Sequence, residues 1–187
     1  LAPEIEEVVR LPARIAREVD RSNMIVDLMV ASSRLSRVDE SDFVTASAVA
    51  CIEEAVERYP YGPGERERVH VRLGEDFEFW GSPALLVNVI FNLLKNALQA
   101  IKQAGQGEVT IETGRQGAHP CIIVTDTGPG IPRQVQRRLF HPFWTTKRGD
   151  AGGIGLAFCR NVMKAFGGRI RCDSRPGRTA FTLQFPA

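Results

Sequence analysis

The sequence predicts an α+β protein built as a two-layer α/β sandwich with a mixed sheet and about three helices, preceded by one amphipathic helix. Three observations lead to this class. Short segments of strict apolar alternation recur along the chain, as in Val69/Val71/Leu73 and Val109/Ile111/Thr113. Longer stretches between them carry apolar stripes at helical spacing. One run, Cys121-Ile-Ile-Val124, is apolar throughout, as expected of a strand covered on both faces.

Taken in order, residues from about Pro12 to Leu35 place Ile15, Val19, Ile25, Leu28 and Met29 among Arg, Glu and Asp, which predicts an amphipathic helix. The spacing breaks at Val38-Asp-Glu-Ser-Asp42, dividing the chain into residues 1–40 and a globular part, 41–187. A second helix is expected from about Thr45 to Arg58, stopped by Tyr59-Pro-Tyr-Gly-Pro-Gly64. Val69/Val71/Leu73 and Phe77/Phe79 read as two strands joined in a hairpin around Gly74. Ser82 and Pro83 supply an N-cap and a first-turn proline to a long helix, whose stripe is Leu86, Val89, Leu93, Ala97 and Ile101 and whose stop is near Gly105. Four more strands follow, at Val109/Ile111/Thr113, Cys121–Val124, Ile170/Cys172 and Phe181/Leu183/Phe185. Irregular residues 127–152 and a helix from about Ile154 to Phe166, ended by Gly167-Gly168, interrupt them.

At 187 residues, with 43% hydrophobic and 25% charged side chains, the chain suits one core with a helical appendage. The 24 basic and 22 acidic residues nearly cancel, so no nucleic-acid partner is demanded. Cys51, Cys121, Cys159 and Cys172 lie far apart among apolar neighbours and read as small core residues of a reduced, cytoplasmic protein. No uninterrupted apolar run approaches the roughly 18 residues of a membrane span, so no direct membrane contact is expected of this chain. Starting at Leu1, it reads as a piece of a longer protein that could itself be membrane-anchored.

Three segments carry chemistry. Asn88, Asn92 and Asn96 recur at i, i+4 and i+8 and place a column of amides on the long helix, opposite its apolar stripe. Amide oxygens are hard, neutral ligands suited to Mg²⁺; a solvated polar face is the plainer reading. Asp126-Thr-Gly-Pro-Gly130 puts a carboxylate at a strand end beside glycines, where it can accept from the exocyclic amine of adenine while Gly128 and Gly130 leave bare backbone for the base; an ordinary turn is the alternative. Gly149-Asp-Ala-Gly-Gly-Ile-Gly155 leads into a helix whose N-terminus can face phosphates, with Lys147 just upstream, though it can equally be a linker. Between them, Leu139-Phe-His-Pro-Phe-Trp-Thr-Thr-Lys147 reads either as a lid or as a hydrophobic pin for the loop.

The succession Asn92-Leu-Leu-Lys-Asn96, Asp126-Thr-Gly-Pro-Gly130, Phe140-His-Pro-Phe143-Trp-Thr-Thr-Lys147 and Gly153-Ile-Gly155-Leu156 is similar to the N, G1, F and G2 boxes of sensor histidine kinases, in the same order. The likeness spans roughly residues 40 to 187 and is closest to the nitrogen-regulation type. It implies the Bergerat ATP-binding fold of the GHKL superfamily, with ATP and Mg²⁺ as cofactors. By this resemblance Asn96 and Asn92 would hold Mg²⁺, Lys147 would meet the terminal phosphates, and these three would form the catalytic set. Asp126 would bind adenine, and Gly128, Gly130, Gly153 and Gly155 would shape the pocket. Ile131, Phe140, Gly152, Ile154, Leu156 and Thr179 would complete the nucleotide-binding set. The chain departs from the pattern at Gly152, where many relatives have threonine, and at Arg178, where glycine is usual before the threonine.

The first helix resembles the second helix of the family's dimerisation and phosphotransfer hairpin, without its partner. The resemblance implies a homodimer through that hairpin in the full-length parent and a response-regulator receiver domain as partner. His70, in a strand, His119, before a proline in a loop, and His141, in the lid, lack the His-Glu/Asp setting of a phospho-acceptor. Two rival readings are an ATP hydrolase of the same superfamily and a degenerate nucleotide-binding scaffold. The hydrolase relatives carry glutamate at the place of Asn92, and an amide cannot take a proton from water as a carboxylate can. Gly152 and Arg178 are what favours the scaffold.

Overall fold

The computed structural model describes residues 38–141 and 155–187. The expected helix over Pro12–Leu35 lies outside them. A 3₁₀ turn, Glu40–Asp42, leads into strand β1 (Val44–Ser47) and helix α1 (Ala48–Arg58). Strands β2 (Val69–Arg72) and β3 (Glu78–Gly81) follow, then helix α2 (Pro83–Gln103), β4 (Val109–Gln116) and β5 (His119–Asp126). A short helix α3 (Arg133–Gln136), α4 (Gly155–Ala165), β6 (Arg169–Arg175) and β7 (Arg178–Gln184) complete the order.

Five strands form one sheet in the order β2-β4-β5-β7-β6, with β2 parallel to β4 and every other pair antiparallel. This is the mixed sheet expected. The helical layer packs on one face: Leu86, Leu93 and Ile101 of α2 and Phe158, Val162 and Met163 of α4 are fully buried with Ile111, Ile122 and Leu183 of the sheet. Each such side chain contributes roughly 1.5–3 kcal/mol by leaving water, so the helices are held chiefly by this interface. Strand β7 is buried at Thr182 and Gln184 as well as at Phe181 and Leu183, so the alternation expected there does not translate into one wet face. It stands between β5 and β6, with a strand paired on each side.

Three expectations are corrected. Val69–Leu73 and Phe77–Phe79 do not pair as a hairpin: β2 joins β4 in the large sheet, while β3 pairs with β1 in a separate two-stranded sheet. Both segments do have the period of strands, but period alone does not name the partner. The second helix starts at Ala48 rather than Thr45, because Val44–Ser47 is drawn into β1. Ser47 then caps α1, its hydroxyl accepting from the Ala50 N–H at 3.0 Å and donating to Asp76 at 2.6 Å. His119, expected in a loop, is the first residue of β5, with its Nδ1 3.1 Å from the Phe185 carbonyl.

Asp76 ties the start of α1 to the start of β3, since its carboxylate also accepts from the N–H groups of Val49 and Phe77. Burial works to raise its pKa, but these three hydrogen bonds together hold it below the ordinary value. Asp76→Ala is expected to cost about 1–2 kcal/mol, as loss of a helix cap does, and thermal melting at neutral pH checks it. The stability Asp76 supplies is present above the ordinary carboxylate pKa of 3.8 and is lost as pH falls through its lowered folded value.

The small sheet is pinned by rings. Phe79 meets Phe166 and Phe185, each with centroids 5.4 Å apart, and Phe43 meets Phe166 edge-on at 5.4 Å. Helix α2 is long and apolar enough by composition to cross a membrane, although charged and amide side chains interrupt its apolar residues. Its Leu86, Val89, Ile90 and Leu93 are buried in this core.

Candidate nucleotide-binding site

The site is laid out along α2. At 1.5 Å rise per residue, Asn88, Asn92, Asn96 and Ala100 stand about 6 Å apart on one strip of the helix. Asn88 and Asn96 are half-buried, but Asn92 is only 5% exposed, so the column is not wholly a solvated face. The reason is α4, which packs on α2 with Cys159 Sγ near the Val89 carbonyl. The Asn92 amide nitrogen donates to the Asn88 carbonyl at 2.8 Å. Its Oδ1 faces the first residue of α4, where a Cβ added to Gly155 would stand 2.5 Å away. The helix N-terminus and the amide oxygen are therefore in direct contact, and a larger residue than glycine would part them.

Asp126 ends β5 between Val109 of β4 and Thr179 of β7, its direct cross-strand partners. It is 4% exposed and accepts from the Gly128 N–H at 2.9 Å. Burial pushes its pKa up to about 6, with the Gly128 hydrogen bond pulling the other way. A Cβ on Gly128 would lie 2.7 Å from the Asp126 carboxylate and 3.0 Å from the Ala100 side chain. The segment after Asp126 thus crosses α2 one turn beyond Asn96, while α4 begins one turn before it. Asn96 stands between the two, on a strip that runs about 12 Å from Asn92 to Ala100.

Gly130 adopts φ +82°, and a Cβ there would lie 2.4 Å from the Arg175 carbonyl. Its bare backbone serves the close approach of this segment to the β6–β7 turn rather than an open surface for a base. The segment is fastened further on. Ile131 N–H donates to Ser174 Oγ at 2.8 Å, and Gln136 Nε2 donates to the Ile131 carbonyl at 2.7 Å and the Ser174 carbonyl at 2.9 Å. Ser174 Oγ is 2.9 Å from Thr179 Oγ1, and Thr179 is 2% exposed. Neither Ser174 nor Gln136 has a signal in the sequence: Ser174 meets Thr179 through strand register, and Gln136 meets Ser174 through the packing of α3 on β6, which no local pattern displays.

Ile131, Phe140 and Leu156 are partly buried against the core. Lys147, Gly152, Gly153 and Ile154, with most of the expected lid, lie outside the described residues. Among the described residues no group of three His, Cys, Asp or Glu side chains is placed to hold a metal ion. The amides of α2 are a different donor set. With one Asn92 N–H given to the Asn88 carbonyl, the atom that Asn92 turns toward the start of α4 is oxygen, the atom a hard cation takes. His70 is 3.6 Å from Glu108 and His141 is exposed.

A buried carboxylate at the end of β5, a row of amides on α2 and a helix N-terminus opening at a glycine meet along α2 within an α/β sandwich. Residues 81–187 match the family described as Histidine kinase-, DNA gyrase B-, and HSP90-like ATPase, and the chain belongs to that family. The CAI-1 autoinducer sensor kinase/phosphatase CqsS of Vibrio cholerae serotype O1 is 39% identical over 166 residues, 88% of this chain and 24% of CqsS. The sensory histidine kinase/phosphatase NtrB of Rhizobium meliloti is 36% identical over 116 residues, 54% of this chain and 30% of NtrB. The expected likeness to the nitrogen-regulation type is thus met in part, since CqsS matches over a longer stretch. Among solved structures, the catalytic domain of histidine kinase ThkA superposes with a TM-score of 0.65 at 24% identity, covering 77% of this chain and 95% of that one. The fold is therefore that of histidine kinase catalytic domains, and the chain spans roughly a quarter to a third of these curated relatives.

Proposed function

We propose that residues 41–187 form the ATP-binding catalytic domain of a two-component sensor histidine kinase, and that residues 1–40 belong to its dimerisation hairpin. The observation that carries this reading is the shared strip of α2, on which the Asp126–Gly128 segment and the α4 N-terminus bracket Asn96. Asp126 accepts from the adenine amine and rejects the carbonyl guanine has in that position. Asn96 and Asn92 offer amide oxygens to Mg²⁺, which supplies charge neutralisation on the phosphates when bound. The α4 N-terminus, which opens at Gly155, offers N–H groups to the same phosphates, and Gly152, Gly153, Ile154 and Lys147 take the phosphate-side roles that the resemblance gives them.

Phosphoryl transfer asks mainly for positioning and charge neutralisation, which this arrangement provides. The γ-phosphoryl passes to an imidazole carried by another segment of the parent and then to a response-regulator aspartate. The chemistry takes place in the cytoplasm, whether or not the parent is anchored to a membrane. An amide at Asn92 in place of a carboxylate favours transfer over hydrolysis.

Isothermal calorimetry with a non-hydrolysable ATP analogue tests the reading. Binding is expected to strengthen in Mg²⁺, and Asn96→Ala is expected to remove most of that gain, about tenfold or more. Absence of binding by the wild-type chain, with or without Mg²⁺, would sink it.

A further inference from the structure

We propose that Ser174, held by Gln136, is a positioning residue that fixes the direction of the Thr179 hydroxyl so that Thr179 donates to the ring nitrogen beside the adenine amine. The inference rests on the ATP reading above and deepens it.

Adenine presents a donor, its exocyclic amine, next to an acceptor, the adjacent ring nitrogen. A matching wall needs an acceptor beside a donor. Asp126 is the acceptor, and Thr179, opposite it across the β5–β7 ladder, is the neighbouring polar side chain. Directly opposed residues of an antiparallel pair have Cβ atoms about 4.5–5.5 Å apart, close enough to address neighbouring atoms of one base. Thr179 has a single proton, however, and can spend it inward or outward.

The hydroxyl of Ser174 decides which. It has one proton to give and two lone pairs. The Ile131 N–H, at 2.8 Å, occupies a lone pair. For the proton there are two recipients: the Arg178 carbonyl at 3.5 Å, at the limit of a hydrogen bond, and Thr179 Oγ1 at 2.9 Å. The shorter contact takes it. Thr179 then accepts on its inner side and keeps its own proton for the pocket. In the opposite arrangement the pocket would offer two acceptors and leave the ring nitrogen without a donor, which a buried site penalises.

Gln136 makes the arrangement rigid. Both of its amide contacts, to the Ile131 and Ser174 carbonyls, hold the Ile131 N–H against Ser174 and so keep the relay pointed one way. Gly130 lets the same segment lie on the β6–β7 turn that carries Ser174 and Thr179.

The test pairs protein variants with a base lacking the ring nitrogen. Calorimetry in Mg²⁺ compares a non-hydrolysable ATP analogue with its 1-deaza counterpart on wild type, Ser174→Ala, Gln136→Ala and Ser174→Thr. Ser174→Ala is expected to weaken the adenine analogue about tenfold and leave the 1-deaza analogue unchanged, a pattern that general loosening of the fold does not give. Ser174→Thr, which restores a hydroxyl, is expected to recover most of the loss, and Gln136→Ala to give a smaller loss with the same selectivity. Should Ser174→Ala fail to fold, Gln136→Ala carries the comparison. Equal losses on both nucleotides, or none, would overturn the relay while leaving the ATP reading intact. A wild-type chain that binds neither nucleotide overturns the ATP reading itself.

Discussion

Asp126→Asn is expected to yield a protein that is more stable without nucleotide and unable to retain adenine. Burial raises the Asp126 pKa to about 6 from an ordinary 3.8, so the folded state holds its proton more tightly than the unfolded chain. For an acid shifted upward, ionisation costs stability: the cost is absent below pH 3.8, grows as pH rises, and is complete above about pH 6. A shift of this size is worth on the order of 2–3 kcal/mol. Asparagine keeps an oxygen for the Gly128 N–H and carries no charge. After some loss in hydrogen-bond strength, a gain of about 1–2 kcal/mol is expected at pH 7–8, or roughly 3–6 °C in melting temperature. The gain should vanish near pH 4. The same substitution turns an NH₂ toward the adenine amine, donor against donor, and is expected to weaken nucleotide binding by about 100-fold or more. Melting scans from pH 4 to 8 beside calorimetry check both halves. A variant less stable than wild type at pH 8 contradicts the account of Asp126.

Gly130→Ala should be among the most damaging single changes in the molecule. Its φ of +82° already disfavours a side chain, and the added Cβ would stand 2.4 Å from the Arg175 carbonyl and 3.0 Å from the Pro176 nitrogen. These atoms are backbone and cannot swing away, so either the segment lifts or the β6–β7 turn moves. A loss of about 3 kcal/mol or more is expected, with Tm falling by roughly 6–12 °C. Nucleotide affinity should fall with it, because the displaced turn carries Ser174 and Thr179. Gly177 provides the control. It has φ +79° but nothing within 4 Å of its added Cβ, so Gly177→Ala should cost only about 1 kcal/mol. Equal costs at the two positions would show that backbone conformation, and not the contact with Arg175, dominates.

The helices and most strands could be read from the sequence because their signals are local. Ser82 and Pro83 do open α2, with the Ser82 hydroxyl 3.5 Å from the Leu85 N–H, and its stripe is the buried one. Gly167, with φ +71°, and Gly168, whose N–H bonds the Met163 carbonyl at 2.8 Å, do close α4. What failed was partner choice. Val44–Ser47 carries the β-branched Val44 and Thr45 but is too short to outweigh the helical run behind it, and only pairing with Glu78–Gly81 makes it a strand. Gly74 suggested a hairpin because turns are marked locally, whereas the parallel β2–β4 ladder joins residues about forty apart.

The chemistry divides in the same way. The spacing of the asparagines reveals that they share a helix face, and the strand before Asp126 reveals that the carboxylate ends it. That Asn92 touches Gly155, or that Thr179 stands opposite Asp126, depends on packing between segments far apart in sequence. Those contacts, more than the motifs one at a time, make one site of them.

The position of β7 bears on how this domain is made. It lies between β5 and β6 although it follows β6 in the chain, and it brings Thr179 to the side of Asp126. A chain emerging from the ribosome therefore has an open seam along β5 until residues through Gln184 are out. Until then the sheet is unfinished, and on the reading proposed above the wall that faces adenine is incomplete, so ligand is not expected to assist the early stages of folding.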